Sequence, residues 1–399
     1  KNINYSGNPF ELEVDAIFTH TDSGQQLKLP GYYAGNNTWK IGFMPTLTGE
    51  WTYTTASSDP DLDGVSGNID CIASSSAGMI KADAINKRKW KYTDAGYVLP
   101  VQLRMDFFSE PGSAAAFQQT VDHMKINNLH ILETRLLEEY GLYQDRHDFI
   151  FKGDWEKHEF DLAIWDRMQD RMDMLAENGL GAHIMFYSDG AGKPGWSGKS
   201  ETEKLVIRYV IARLAAYPIV LFNTGIDIVE FRDQSWVDWF GEQIQMLDPY
   251  DHPVSSRYGG GSGEMVMASQ SFDSRGDRLA IMDDMTEYFI SSDVPVSMDD
   301  AWGENRKSHR KKNFRPEDIR RAFWKAVVAG GLSGLIRGQD GFFHIGKLEQ
   351  GLKSEQWLKH INPFINDRLG DTFGEMVPAP SLVSNGYSLS DPERTKILY

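Results

Sequence analysis

The chain has 399 residues, of which 41% are hydrophobic and 25% charged, a composition typical of a globular protein. The net charge of -16 argues against a nucleic-acid or anionic-membrane partner held by bulk electrostatics. No run of about 18 apolar residues occurs, so no transmembrane helix is predicted. The one cysteine, Cys71, excludes an intrachain disulfide and a cysteine-based metal cluster. The sequence begins at Lys1 without an initiator methionine, as expected of a processed or trimmed chain.

Residues 1–88 have the pattern of short antiparallel strands. The stretches NPFELEVDAIF, NTWKIGFMPT and GEWTYTTASS alternate polar with apolar or aromatic residues, and Gly, Pro, Asn and Asp separate them. This pattern predicts an N-terminal β-sandwich.

Residues 89–362 alternate apolar, strand-like runs with helical segments. The strand-like runs are YVLPVQLRM, LHILETRLL, GAHIMFYS, PIVLFNTG, HPVSSRY, EMVMASQSF, VPVSMDD and SGLIRG. Helical spacing covers 113–127, 161–178, 201–216, 233–247 and 315–330. Eight repeats of strand and helix predict the α/β class and a (β/α)8 TIM barrel, with a doubly wound open sheet as the alternative.

Residues 363–399 return to strand and turn residues, as in GEMVPAPSLVSNGYSLSDPERTKILY. This composition predicts the start of a small C-terminal β module, incomplete in this chain.

The spacing of aromatic residues near position 40 resembles a known domain. Trp39 to Phe43, followed by Pro45, Thr46, Gly49, Glu50, Trp51 and Tyr53, is similar to an N-terminal sandwich domain that precedes catalytic barrels in bacterial polysaccharide-degrading enzymes. Segments 247–257, 294–306 and 315–331 resemble parts of retaining (β/α)8 glycoside hydrolases of that group. The resemblance implies a bacterial glycoside hydrolase located in the periplasm or outside the cell.

The resemblance also implies which strands carry the catalytic acids. In that clan the acid/base stands at the end of strand four, often as Asn-Glu, and the nucleophile is a carboxylate at the end of strand seven. Strand four here runs from Asn223 through Thr224 to Asp227, without the Asn-Glu pair, and strand seven ends in Asp299 and Asp300.

Glycoside hydrolysis needs one carboxylic acid to protonate the leaving oxygen and a second carboxylate to attack the sugar or to activate water. The C-terminal ends of barrel strands converge on one face, so acids distant in sequence can meet there. We therefore expect Asp227 to be the proton donor and Asp299 or Asp300 to be the nucleophile or base, with Glu230 and Glu304 as substitutes.

Further polar, basic and aromatic residues follow the predicted strands. Guanidinium groups suit bidentate contacts to carboxylate or sulfate, so several arginines at a barrel mouth predict an anionic sugar chain. The alternative is that each arginine pairs with neighbouring acids. Tyr258 and Trp196 are additional candidates for stacking on sugar rings. The predicted substrate-binding residues are Glu133, Arg135, His183, Tyr187, Asp189, Arg257, Trp302, Arg306, Arg337 and His344.

These observations predict a glycoside hydrolase that cleaves a complex, anionic (sulfated or uronic) polysaccharide or its oligosaccharides. One alternative is a non-catalytic carbohydrate-binding relative, and another is a polysaccharide lyase with Tyr187 or His183 as the base. No cofactor is predicted. No catalytic metal is predicted either, because H-E-x-x-H is absent and the ten histidines lack ligand spacing, whereas a loop calcium stays open.

Overall fold

The computed structural model describes residues 1–137, 149–187, 194–225, 228, 232–257, 267–271, 294–300, 315–328, 333–336, 344–348, 352–391 and 395–398. Within these ranges, none of the helices combines the length and the apolar character that a membrane span requires.

The N-terminal region is rich in strands, as predicted. Its antiparallel five-stranded sheet has the order β3-β2-β1-β4-β5. Along β1, Val14, Ala16, Phe18 and His20 are buried and the residues between them are more exposed, because successive strand side chains point to opposite faces. The strands are β1 (Val14–His20), β2 (Gln26–Tyr33), β3 (Trp39–Ile41), β4 (Gly49–Ser57) and β5 (Ser66–Cys71), and a ribbon of β6 (Ile80–Ala82) and β7 (Trp90–Tyr92) follows.

Eight parallel strands close into a barrel in chain order. The ring closes where the last strand pairs with the first, Gly334 opposite Val101, which excludes the open doubly wound sheet. All eight strand predictions are confirmed. The strands, called barrel strands one to eight below, are β8 (Val101–Arg104), β9 (Ile131–Arg135), β10 (Gly181–Tyr187), β11 (Val220–Gly225), β12 (Val254–Arg257), β13 (Met267–Ser271), β14 (Val296–Asp300) and β15 (Ser333–Ile336).

In the part of the connections that the structure describes, five α-helices lie between barrel strands. Each matches a predicted helical segment, so the mixed α/β class is confirmed. Four of them begin at a Ser or Asp whose side chain accepts a backbone amide of the first turn: Ser113, Asp161, Ser200 and Asp233. Such caps satisfy amides that have no partner inside the helix. The helices are α1 (Ala114–Ile126), α2 (Leu162–Glu177), α3 (Glu201–Leu214), α4 (Gln234–Leu247) and α5 (Pro316–Val328).

The C-terminal segment starts with helices before its strands. Asn362 ties these helices to the start of strand one, because its side chain accepts the amide of Leu99 at 2.7 Å and donates to the carbonyl of Leu99 at 2.9 Å. The β module then begins at Val377. The elements are α6 (Lys353–Leu358), α7 (Ile361–Phe364), a π turn (Ile365–Leu369), α8 (Thr372–Glu375) and the antiparallel sheet of β16 (Val377–Pro378), β17 (Ser388–Ser390) and β18 (Lys396–Leu398).

The N-terminal sheet packs against α3 on the outside of the barrel. The Tyr209 hydroxyl donates to the carbonyl of Tyr33 at 2.8 Å, and Arg208 forms an ion pair with Asp15 at 2.5 Å. Buried apolar residues of the sheet and of the barrel belong to one continuous core. The sheet therefore shares its hydrophobic core with the barrel.

Candidate active site

Polar side chains line the inside of the barrel below its C-terminal rim, the ring formed by the carboxyl ends of the eight strands. The Nδ1 atom of His183 on strand three lies 2.9 Å from the Oε1 atom of Gln102 on strand one. Strand two separates these strands in the ring, so the contact passes through the interior. One layer nearer the rim, Arg104 pairs with Glu133 at 3.1 Å, and both side chains are buried.

Asp106 and Arg135 form a second buried ion pair at the rim itself. The Arg135 Nε atom donates to Asp106 Oδ1 at 3.0 Å, and its Nη2 atom donates to Oδ2. Burial favours a raised pKa for Asp106, but the charges of Arg135 and Arg104 outweigh it and hold the pKa below its ordinary value. Asp106 is therefore a carboxylate that engages Arg135, as the alternative reading of the arginines expects.

Three of these interior residues were not among the predicted site residues. Gln102, Arg104 and Asp106 occupy every second position of an otherwise apolar run around strand one. This alternation could have indicated that the three side chains lie together, because alternate residues of a strand share one face. In a barrel strand that face is the interior.

Strand three ends in Tyr187, which is buried. Its hydroxyl donates to the carboxylate of Glu203. Burial raises the pKa of Tyr187 well above its ordinary value, and the Glu203 charge and hydrogen bond add to the effect. A tyrosine held in this way is poorly suited to act as the base of a lyase. Trp196 is also buried and packs on Phe151 and Tyr187, so its faces are not open for a sugar ring.

Strand four reaches the rim through a close approach to strand three. A Cβ atom at Gly225 would lie 2.8 Å from Tyr187 Cβ, and the φ of Gly225 is +156°. Next to it, Asn223 Nδ2 donates to Ser255 Oγ at 2.8 Å, and Asn223 Oδ1 accepts the amide of Gly225. Ile228, three residues after the end of strand four, is buried. Asp227 and Glu230 themselves lie outside the described residues.

Strand seven ends in Asp299 and Asp300. It pairs with strand six, where Asp300 lies opposite Ser271. Strands four and seven are three positions apart in the ring of eight, so their carboxyl ends face each other across the mouth. The structure describes the backbone of Asp299, Asp300 and Arg257 and not their side chains. Of the other predicted site residues, Glu304, Asp189, Trp302, Arg306 and Arg337 lie outside the described residues.

His344, which follows strand eight, lies beside the loop after strand one. Its Nδ1 atom contacts a carboxylate oxygen of Glu110, and the amide of Ile345 donates to the other oxygen at 3.0 Å. Strands one and eight are neighbours in the ring, so this contact joins their two exit loops. The structure thus gathers Glu133, Arg135 and His183 in the interior and leaves His344 at the loop junction.

A second concave region, a cleft of about 520 Å³, lies outside the barrel between the N-terminal sheet and helices α3 and α4. Asp15 pairs there with Lys28 at 3.0 Å and with Arg208, and Lys204 pairs with Glu201 at 2.8 Å. The cleft lies along the helices and away from the strand ends. The rim is therefore the better candidate for the active site of a parallel barrel.

No group of three or more His, Cys, Asp or Glu side chains in the described part of the chain is arranged to hold a metal ion.

Comparison with known families decides what kind of barrel this is. A family model described as an apiosidase-like catalytic domain matches residues 124–364, well over half of the chain. The chain belongs to the apiosidase-like family. A second model, a domain of unknown function, matches residues 2–58 in the N-terminal region. No curated protein sequence matches the chain.

Solved structures similar to this apiosidase-like protein share its fold. A Bacteroides vulgatus protein named as a candidate glycoside hydrolase aligns with a TM-score of 0.80 and 19% identity over 99% of this chain and 81% of its own. A glycoside hydrolase family 5 protein from the same species aligns with a TM-score of 0.56 and 14% identity over 79% of each chain. An endo-1,4-beta-mannanase from Rhizomucor miehei gives 0.51 and 11% identity over 73% and 100%. The predicted enzyme class, a glycoside hydrolase, is confirmed, and an N-terminal domain precedes the catalytic one.

Proposed function

We propose that this apiosidase-like protein uses a (β/α)8 TIM barrel, preceded by a β-sandwich, to hydrolyse glycosidic bonds of a complex, anionic polysaccharide or its oligosaccharides. The periplasm or the extracellular space is its proposed location. The observation that carries the proposal is the placement of strands four and seven. Their carboxyl ends face each other across one rim, and both are followed by or end in acidic residues.

The proposed acid is Asp227, with Glu230 as its substitute, and the proposed nucleophile or base is Asp299 or Asp300, with Glu304 as substitute. A retaining reaction requires the two carboxyl groups to be about 5 to 5.5 Å apart, and an inverting one about 6.5 to 9.5 Å. The first carboxylic acid protonates the leaving oxygen. The second attacks the anomeric carbon to give a glycosyl-enzyme, which water then hydrolyses with Asp227 acting as the base.

Recognition of negative charge is proposed for the arginines that follow strands five, seven and eight, namely Arg257, Arg306 and Arg337. Arg104 and Arg135 already pair with buried carboxylates. Their main effect is therefore on the electrostatic potential at the C-terminal rim of the barrel. That potential favours ionised acids nearby, as it does for Asp106. The family name makes apiose-bearing oligosaccharides the first sugars to test beside uronic and sulfated polymers.

The test is reducing-sugar release from a panel of neutral, uronic, sulfated and apiose-bearing saccharides. Loss of the proton donor in Asp227→Asn should lower turnover by roughly 10² to 10⁴, the usual worth of a positioned acid. We expect Asp299→Asn or Asp300→Asn to do the same, with Glu230→Gln and Glu304→Gln tested in parallel. Asp170→Asn, an exposed acid on α2, is the matched control.

The second candidate function is carbohydrate binding without turnover. Thr224 supports it, since it occupies the position after Asn223 where the clan carries glutamate, and it is buried. Calorimetric binding to a panel member that the protein does not hydrolyse would favour this candidate. Hydrolysis that survives every carboxylate substitution would remove the proposed acids from the site.

A further inference from the structure

Glu203 is a fully buried carboxylate in the first turn of α3, behind the barrel rim. One oxygen accepts the hydroxyl of Tyr187. The other accepts the backbone amides of Gly198 and Lys199 at 2.9 and 2.5 Å and the indole Nε1 of Trp236 at 3.2 Å. Burying a carboxylate is costly unless hydrogen bonds replace its water. These four donors supply that replacement.

The four donors come from the end of strand three, the loop that follows it, and the first turn of α4. Tyr187 ends strand three, and Gly198 and Lys199 lie in the loop that follows it, where Lys199 has a left-handed φ of +68°. Trp236 lies in the first turn of α4, directly after the exit loop of strand four. In an ordinary capping box the glutamate would return to the amide of the cap residue, Ser200. Here the carboxylate reaches past it and holds the loop.

Arg232 makes a second link to the loop after strand three. Its Nη2 atom donates to Ser197 Oγ in the strand-three loop, and its guanidinium lies 5.3 Å from the ring centre of Trp236. The amide of Arg232 donates to the carbonyl of Ile228 at 2.8 Å. These contacts join the loop after strand three to the residues at the start of α4. The residues that make them, called the Glu203 cluster, are Tyr187, Gly198, Lys199, Glu203, Arg232 and Trp236.

We propose that Glu203 is a positioning residue: it holds the loop after strand three against the start of α4, and this contact orients the acid proposed to follow strand four. Only the expected effect on turnover rests on the proposed function. The expected effect on the rigidity of the loop does not depend on it. Because a displacement of about 1 Å can cost roughly 10² in rate, loss of the Glu203 contacts should lower turnover without removing any group that touches the substrate.

The first measurement is hydrogen–deuterium exchange of Glu203→Gln, with Glu201→Gln as the matched control. Glu201 occupies the same helical turn, but its side chain is 83% exposed and pairs with Lys204. We expect the amides of Gly198 and Lys199, which donate to Glu203, to exchange roughly tenfold faster in Glu203→Gln, the scale of a lost charge-assisted hydrogen bond. The amide of Arg232, which donates to Ile228, should also exchange faster because the cluster around it is loosened. The control should match the wild type. Unchanged exchange at Arg232 would overturn the proposal.

The second measurement is steady-state kinetics on the saccharide that the wild-type enzyme hydrolyses. We expect kcat of Glu203→Gln to fall roughly 10²-fold while KM changes little. Trp236→Phe removes a single donor and should give a smaller loss of kcat, which keeps the test valid if Glu203→Gln folds poorly. The positioning role would be contradicted if KM rose by as large a factor as kcat fell, or if both variants kept the wild-type kcat. An inactive wild type would overturn the proposed function. The exchange result would still decide whether Glu203 holds the loop after strand three against the start of α4.

Discussion

At the scale of single residues, two buried ion pairs lie in the described part of the barrel interior. Asp106, just after strand one, pairs with Arg135 on strand two, and Arg104 on strand one pairs with Glu133 on strand two. Removing one member of such a pair leaves the other charge buried and uncompensated. The pairs therefore behave as units, and a single substitution should cost far more than an exposed ion pair would.

Asp106→Asn tests this directly. We expect it to lower the free energy of unfolding at neutral pH by about 3 to 5 kcal/mol, because Arg135 loses its buried partner. Urea unfolding measures the loss, and Asp170→Asn on the exposed face of α2 should be close to neutral.

The pH dependence of the Asp106 contribution follows from its lowered pKa. A carboxyl whose pKa is lower in the folded state stabilises above its ordinary pKa of 3.8, and loses that contribution as the pH falls through the folded value. The stability gap between the wild type and Asp106→Asn should accordingly narrow below about pH 4. A gap that stays constant to lower pH would contradict an ionised Asp106.

At the scale of elements, strand four depends on its close approach to strand three. Gly225→Ala would place a Cβ atom 2.8 Å from Tyr187 Cβ and 2.9 Å from the Tyr187 carbonyl oxygen. We expect a loss of about 1 to 3 kcal/mol, typical of overpacking, together with reduced turnover because Tyr187 anchors Glu203. Thermal unfolding measures the first effect. Gly195→Ala is the control, since its added Cβ would meet only an ordinary contact at 3.7 Å.

The elements also show what the sequence could predict. Apolar runs and helical spacing located eight strands and five helices because each signal is local, and the caps at Ser200 and Asp233 mark helix starts within a few residues. The partners of the interior side chains are not local. Gln102 meets His183 across 81 positions, and no spacing within strand one specifies that contact.

The C-terminal helices and the Glu203 cluster escaped prediction for a related reason. The strand and turn residues that indicated a β module lie in 374–399, and the predicted module was extended back to residue 363. Ile365 and Phe373 within that extension are instead buried in the core. Tertiary packing overrides the local signal there. Glu203 was passed over because an acid in the first turn of a helix is ordinary. What distinguishes Glu203 from such an ordinary acid is its burial and the hydrogen bonds that it accepts from the strand-three exit and from α4.

At the scale of the whole molecule, the N-terminal sheet and the barrel share one core. Tyr209 on α3 stacks on Phe160 at 4.1 Å and donates to the carbonyl of Tyr33 in the sheet. Burial raises its pKa, which keeps the hydroxyl a hydrogen-bond donor at neutral pH. Because the buried residues of the two parts form one continuous core, we expect sheet and barrel to unfold as one cooperative unit.

Differential scanning calorimetry tests that expectation. A single transition should be seen. Tyr209→Phe should lower its midpoint by an amount equivalent to about 2 to 4 kcal/mol, because the variant loses both the bond to the Tyr33 carbonyl and the bond that Arg213 donates to the hydroxyl at 3.1 Å. Tyr53→Phe, half-buried within the sheet itself, is the comparison for a hydroxyl removed away from the junction. Two resolved transitions, with Tyr209→Phe moving only one of them, would show that the sheet is an independent module. In that case the sheet would not stabilise the wall of the barrel from which strands three and four reach the candidate active site.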